Sequence, residues 1–214
     1  LTVEMVNAAV PEGFAQAARN ARAAGFDMVE VHAANGYLID EFLRDGSNHR
    51  EGPYGGSREN RARFLFEVLD AVCAAIGADR VGVRFSPLNS FNDMKDSDPA
   101  GLYTWLANSL NDKNLAYLHL MRGDFYGKQT ADVLTPVRKN YRGKLLVNMG
   151  YSPEEAKNTI AESKADAVAF GTAFLANPDL PTRVRSGATL NEPNPDTFYT
   201  PGPEGYTDYP TLLG

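Results

Sequence analysis

The stretch HAANGY, residues 32–37, places a histidine, an amide and a phenol directly after a short apolar run. A neutral imidazole and a carboxamide can both donate hydrogen bonds to a carbonyl oxygen and stabilise negative charge that develops on it. A phenol close by can act as a general acid. His32, Asn35 and Tyr37 are therefore candidate catalytic and substrate-binding residues, whereas His32 alone would more often be a hydrogen-bonded structural histidine.

Polar residues also lie in or after the later apolar runs. Arg84 is part of the run DRVGVRF, and a buried arginine is costly unless an anion or a carboxylate pairs with it. A bound anion and a carboxylate on a neighbouring strand explain it equally well. The turns NMG (148–150) and FGT (170–172) would expose backbone N–H groups that suit a phosphate, although ordinary turns between strand and helix use the same residues.

Two other kinds of active site find little support. No histidine pair, cysteine pair or carboxylate cluster has the spacing of metal ligands, so no metal is expected. No Gly-x-Ser-x-Gly segment is present to hold a nucleophilic serine. The one cysteine, Cys73, lies in an apolar helical pattern that is typical of a packed thiol. It allows no internal disulfide, which fits a reducing compartment, and we expect the cytoplasm.

The candidate residues lie in or beside five segments that read as β-strands, namely FDMVEVH, DRVGVRFSP, LAYLHLMR, GKLLVNMG and ADAVAFG. A helix with Thr2 as its N-cap precedes the first strand, and Pro11 is expected to bend or split it. Helical patterns separate the strands in ENRARFLFEVLDAVCAAIG, PAGLYTWLANSLNDKN, TADVLTPVRKNY and SPEEAKNTIAES, and a short one, NPDLPTRVRSG, follows the last. This alternation predicts a parallel sheet whose strands end at one common edge, where chemistry collects.

Two architectures fit this order of elements. One is an open doubly wound sheet, and the other is part of a (β/α)₈ barrel, which needs eight strands to close. No Gly-x-Gly-x-x-Gly follows the first strand, which weakens the dinucleotide-binding alternative. The 214 residues carry a net charge of -6, so neither nucleic acid nor a membrane is expected as a partner.

Several long stretches resemble the Old Yellow Enzyme family of FMN-dependent ene-reductases. The longest and most specific is GFDMVEVHAANGYLIDEFLRDGSNHREGPYGGSRENRARFLFEVLDAV, and DRVGVRFSP, DAVAFGTAFLANPDL and FYTPGPEGYTDYP follow in family order. The resemblance implies an α/β fold, the later part (about strands 4–8) of a (β/α)₈ TIM barrel that binds FMN. It also implies that NADPH or NADH reduces the FMN, which then transfers hydride to the β-carbon of an activated alkene such as an enone, enal, maleimide or nitroalkene.

The resemblance also assigns roles to individual residues. His32 and Asn35 correspond to the pair that binds the substrate oxygen, and Tyr37 corresponds to the proton donor to the α-carbon. Arg84 corresponds to the arginine that compensates negative charge near N1 of the reduced flavin. The remaining cofactor contacts fall on Asn148, Met149, Gly150, Gly171 and Thr172, and the remaining substrate contacts on Phe91, Phe125 and Tyr199.

Two departures from the family pattern affect this prediction. Thr172 stands where the family often has an arginine that clamps the FMN phosphate, and Arg122 is a candidate substitute. The first three barrel strands of the family have no counterpart in the sequence. We therefore expect residues 1–214 to form one partial barrel domain, with residues 187–214 as a tail packed on it.

A barrel of five strands would expose two open edges. We expect a complementary amino-terminal segment, either a separate chain or a cleaved piece, to complete it. The alternative is a non-catalytic or structural truncated barrel that does not hold FMN.

Overall fold

The computed structural model describes Val6 and residues 10–213 of the chain. Within them lies one sheet of five parallel strands, which are β1 Val29–His32, β2 Val81–Phe85, β3 Tyr117–Met121, β4 Leu145–Asn148 and β5 Ala167–Val168. All five predicted strands are confirmed. Each is shorter than its predicted segment, because the flanking residues leave the hydrogen-bonded ladder for the turns.

Helices connect the strands, and they are α1 Val10–Ala23, α2 Leu38–Leu43, α3 Arg58–Ile76, α4 Pro99–Ser109, α5 Leu134–Asn140, α6 Pro153–Ala161, α7 Thr172–Ala176 and α8 Leu180–Ser186. Three of them begin at side chains that accept a hydrogen bond from the first turn, Ser57, Asp98 and Ser152. The predicted cap at Thr2 lies outside the described residues. So do the residues that would show whether Pro11 bends or splits the first helix.

The order of the strands decides between the two predicted architectures. Every strand pairs with the next one in the chain, so the order is β1-β2-β3-β4-β5 without a reversal. A doubly wound sheet reverses its strand order at a switch point, whereas a (β/α)₈ barrel does not. The sheet is therefore built like a barrel wall.

The two faces of this wall differ in polarity. Side chains alternate between the faces of a strand, so Val31 and Val83 lie on one face and His32 and Arg84 on the other. The first face is fully apolar and lies beneath the helices, where Val83, Phe85, Leu118, Leu120 and Val147 are at most 1% exposed. The opposite face carries the polar residues Glu30, His32, Arg84, Tyr117, His119 and Asn148.

Both ends of the sheet are edges among the residues that the structure describes, because β1 pairs with β2 alone and β5 with β4 alone. No helix in the described part of the chain combines the length and apolar character that crossing a bilayer requires. The tail returns to α8, where Arg183 Nη2 donates to the carbonyl of Pro210 at 2.9 Å and Leu212 N donates to Asp179 Oδ2 at 2.8 Å.

Candidate functional site

Arg84 lies beside His32 on the polar face of the sheet, because the two residues are register partners across β1 and β2. Its Nε is buried and has no hydrogen-bond partner among the described residues. The carboxylate on the same face, Glu30, accepts instead from His119 Nδ1 at 2.9 Å. Buried donors without partners are rare, so Arg84 Nε is expected to donate to a group that is not part of the described chain.

His32 ends β1 with its imidazole partly exposed above this face. Burial and the positive charge of Arg84 lower the pKa of His32 below its usual value of 6.5. The negative charges of Glu30 and Asp40 raise this pKa, but by less. The lowered pKa favours the neutral form of the imidazole at pH 7. In that form one ring nitrogen donates a hydrogen bond without carrying a charge.

Asn35 turns the chain after β1 and is held from two sides. Its φ of 57° lies in the left-handed region, which asparagine tolerates better than most residues. Its backbone N–H donates to Ser86 Oγ at 2.7 Å, and its Oδ1 accepts from Asn89 Nδ2 at 2.8 Å. No described residue accepts from Asn35 Nδ2, and this atom is not among the buried atoms that lack a partner. Its amide donor thus has no partner in the described chain, although the residue is only 9% exposed.

Gly36 brings the next residues back toward the sheet. Its φ is +70°, and a Cβ at this position would lie 2.6 Å from the Cβ of Asn92. Both facts require glycine here. The following residue, Tyr37, begins α2 without a side-chain capping bond and is 54% exposed. Its phenol ring lies 5.2 Å from the ring of His32, so these two predicted residues lie side by side, and Asn35 lies in the turn between them.

A buried ion pair that the sequence analysis missed supports this turn. Asp40 and Arg44 are both 0% exposed, with Nε and Oδ1 2.9 Å apart. Asp40 also accepts from the backbone N–H of Gly36 at 2.9 Å and from the hydroxyl of Tyr103 at 3.0 Å. Burial raises the pKa of Tyr103 well above its usual value, so its hydroxyl remains a donor.

The guanidinium of Arg44 also holds the loop that follows β2. It donates to the carbonyl oxygens of Pro87 and Asn89 at 3.2 Å each, and to Ser86. The i,i+4 spacing of an acid and a base on α2 was a signal for this pair, but α2 is too short to show a helical period in the sequence.

The aromatic residues predicted to line the pocket are only partly brought together. The rings of Phe91 and Phe125 lie edge to face with centroids 6.5 Å apart. Asp124 ties their loops together, because it accepts from the backbone N–H of Ser90 at 2.8 Å. Tyr199 is 97% exposed in the tail, and its place in the pocket stays a prediction.

The two predicted phosphate loops follow neighbouring strands, β4 and β5. Met149 and Gly150 both have positive φ, 89° and 68°, and Gly150, Gly171 and Thr172 are exposed. Oδ1 of Asn148 is buried without a partner in the described chain. The two loops thus lie at the surface, and the amide oxygen of Asn148 has no partner in the described chain.

The guanidinium of Arg122 is already bonded to other protein groups, so it does not replace the phosphate-binding arginine that the family often has at the position of Thr172. It donates to the carbonyl oxygens of Met149 at 2.8 Å and Gly150 at 3.0 Å, and it forms an ion pair with Glu155. Its guanidinium also stacks 3.6 Å from the ring centroid of Tyr151. Arg122 therefore shapes the loop after β4.

The residues present fit the FMN that the resemblance implies. Arg84 offers an unpaired guanidinium nitrogen on the polar face of the sheet. Asn148, at the end of β4, offers an unpaired amide oxygen on the same face. The loops after β4 and β5 contribute the exposed residues Gly150, Gly171 and Thr172, whose backbone N–H groups would suit a phosphate. No group of histidine, cysteine or carboxylate side chains suited to a metal ion occurs among residues 10–213 or at Val6.

The chain is similar to several known proteins. The model of the "NADH:flavin oxidoreductase / NADH oxidase family" matches residues 1–191. The "Probable flavin mononucleotide-dependent alkene reductase" of Leishmania infantum is 57% identical over 200 residues, which are 93% of this chain and 54% of that protein. The structure of the old yellow enzyme from Trypanosoma cruzi matches 99% of this chain and 57% of that chain, with a TM-score of 0.97 and 46% identity.

A structure of morphinone reductase in complex with tetrahydroNAD has a TM-score of 0.92 and 44% identity, again over 99% of this chain and 57% of that one. The chain thus spans about half the length of the relatives it matches. Together with the strand order, these likenesses confirm that the five strands are part of a (β/α)₈ TIM barrel.

Proposed function

The chain belongs to the Old Yellow Enzyme family of NADH:flavin oxidoreductases, and we propose that it carries the substrate-binding wall of an FMN-dependent ene-reductase. The observation that supports this most strongly is the position of His32, which lies beside the ring of Tyr37 and pairs in register with Arg84, whose Nε has no partner in the described chain. A neutral donor, a free amide and an exposed phenol are what a polarised alkene needs from the protein.

Arg84 and the loops after β4 and β5 would hold the cofactor. The guanidinium would lie at the electron-rich edge of the flavin ring, and Gly150, Gly171 and Thr172 would donate to the phosphate. When bound, FMN would supply two-electron chemistry, in which it accepts hydride from NADPH or NADH and gives it to the β-carbon of an enone, enal, maleimide or nitroalkene.

His32 and Asn35 would bind the substrate oxygen and orient the alkene. Both present neutral N–H donors, so they stabilise the negative charge that develops on that oxygen without forming a fixed ion pair beforehand. Tyr37 would give its hydroxyl proton to the α-carbon, and solvent would return a proton to it. Its exposure allows that exchange.

We further propose that a complementary amino-terminal segment completes the barrel. The open edges of β1 and β5 support this, as does the share of the relatives that the chain covers. The test is to purify the 214-residue chain alone. Aggregation, or recovery of FMN binding only after the segment is added, supports the proposal, whereas a monomer that unfolds cooperatively and binds FMN tightly contradicts it.

The visible spectrum tests the function itself. We expect the completed protein to be yellow with FMN and to bleach when NADPH or NADH is added without oxygen. A protein that stays colourless with FMN and its complementary segment contradicts the proposal and favours the non-catalytic barrel.

A further inference from the structure

We propose that Asn89 is a positioning residue, which fixes the direction of the Asn35 carboxamide so that its N–H₂ group faces the substrate oxygen. This inference rests on the proposed function and names a residue that the sequence analysis did not single out. Asn89 is completely buried in the loop after β2 and touches residues from the loops after β1 and β3.

The orientation of the Asn89 carboxamide is set by a backbone group that can act only as a donor. The N–H of Phe125 points at Asn89 Oδ1 with a distance of 3.3 Å. A backbone N–H can only donate, so the atom of Asn89 on this side must be the oxygen. The N–H₂ of Asn89 is then forced to the other side of its carboxamide.

That N–H₂ group sets the direction of the next carboxamide. Asn89 Nδ2 lies 2.8 Å from Asn35 Oδ1, and two N–H₂ groups cannot bond to each other. Asn35 must therefore turn its oxygen toward Asn89 and its nitrogen away. The free Nδ2 of Asn35 is the result of two hydrogen bonds in series.

Asn89 itself cannot turn easily, because its backbone is clamped. Its N–H donates to the carbonyl of Ser86 at 3.1 Å, and its carbonyl accepts from Arg44 Nη1 at 3.2 Å. The same Ser86 accepts from the N–H of Asn35 through its hydroxyl. The turn that carries Asn35 and the loop that carries Asn89 are thus both hydrogen-bonded to Ser86.

Phenol binding to the FMN-loaded protein tests the proposal with a readout other than turnover. The probe is para-hydroxybenzaldehyde, whose affinity and long-wavelength charge-transfer band report how its oxygen is held. In Asn89→Ala the Asn35 carboxamide can turn freely, so we expect about tenfold weaker binding, the effect of one hydrogen bond of about 1.4 kcal/mol. The matched control is Asn92→Ala, since Asn92 lies in the same loop but donates to the backbone oxygen of Asn35 at 3.1 Å.

A double-mutant cycle separates positioning from general damage to the loop. If Asn89 acts through the Asn35 carboxamide, Asn89→Ala has no further effect on the probe once Asn35→Ala is present. Equal losses in both backgrounds would overturn the proposal. So would an Asn92→Ala variant that weakens the probe as much as Asn89→Ala does.

Asn89→Asp provides a second test that needs no flavin. An ionised aspartate at this position can only accept, so at a pH where it is ionised the Asn35 carboxamide should reverse and donate its N–H₂ to the new carboxylate. We expect the side-chain amide resonances of Asn35 in the ¹⁵N-labelled protein to shift downfield and exchange more slowly. Unchanged resonances would overturn the proposal even if Asn89→Ala fails to fold. A wild-type protein without a charge-transfer band would instead count against the proposed function.

Discussion

The imidazole ring of His32 and the phenol ring of Tyr37 lie with their centroids 5.2 Å apart, although one ends a strand and the other begins a helix. The chain turns between them through Asn35 and Gly36, which both adopt positive φ. The turn places an imidazole and a phenol side by side at the end of β1. Under the proposed function, a substrate oxygen bound to His32 would bring the carbon skeleton of the substrate close to the side chain of Tyr37.

Tyr37→Phe should slow the reaction with the alkene and leave the reaction with the nicotinamide unchanged. Loss of a positioned general acid costs about 10²–10⁴-fold in the step that it assists. Stopped-flow absorbance measures the two half-reactions separately. The control is Tyr141→Phe, the same change at a buried tyrosine that precedes β4 at the amino end of the sheet. Equal rates of alkene reduction in Tyr37→Phe and wild type would remove the proton-donor role.

Arg84→Met should weaken FMN binding and make the bound flavin harder to reduce. A charged hydrogen bond contributes about 1.5–3 kcal/mol, so we expect a loss in FMN affinity between about tenfold and hundredfold. The flavin midpoint potential should become more negative, because the positive charge favours the anionic reduced form. Arg80→Met is the control, since Arg80 precedes β2 and donates only to the carbonyl of Asp27 in the described chain. The same potential in Arg84→Met as in wild type would place Arg84 away from the flavin.

Arg44→Met should be strongly destabilising, because it leaves Asp40 buried without its partner. Breaking a buried ion pair in this way costs about 3–5 kcal/mol. Arg58→Met removes an exposed pair with Asp98, and it should cost at most about 1 kcal/mol. Urea unfolding gives both free energies. Similar losses in the two variants would show that the buried pair does not support the turn.

Asp124→Asn should remove a pH-dependent link between the two pocket loops. Burial opposes ionisation of Asp124, but hydrogen bonds from Ser90, Tyr126 and Lys128 outweigh it and lower its pKa from the usual 3.8 to about 2. A depressed carboxylate pKa means that this stabilisation is complete above pH 3.8 and is lost as the pH falls through about 2.

The stability difference between wild type and Asp124→Asn should therefore be about 1.5–3 kcal/mol at neutral pH and should shrink below pH 3.8. Urea unfolding across the acid range measures it. Asp132→Asn is the matched control, because Asp132 lies at the surface before α5 and accepts only a local hydrogen bond, from the N–H of Thr135, so it links no second loop. A difference that does not change with pH would contradict the account of Asp124.

The sequence was sufficient to predict the wall and the residues that meet on it. Alternating strands and helices imply a parallel sheet, and such sheets bring polar residues at strand ends together, as His32 and Arg84 show. Local patterns alone left both the barrel and the open sheet possible, because they do not state which strands are neighbours. The family resemblance predicted the barrel, and the observed strand order confirms it.

The support of the site could not be predicted in the same way. The contacts of Asp40 and Arg44 reach residues about forty to sixty positions away in the chain, and no local pattern records them. The direction of the Asn35 amide depends on an N–H from the loop after a third strand, that of Phe125. The sequence shows that residue 35 is an asparagine, but it does not show which way the carboxamide of that asparagine is oriented.

The most direct test of the account is anaerobic reoxidation of the reduced FMN-loaded protein by cyclohexenone, followed by the flavin absorbance. The account predicts that the yellow colour returns in a saturable reaction that forms one cyclohexanone per flavin, and that this is slowed strongly in His32→Ala and Asn35→Ala. If the colour returns only when oxygen is admitted, the chain does not carry the substrate site of an ene-reductase.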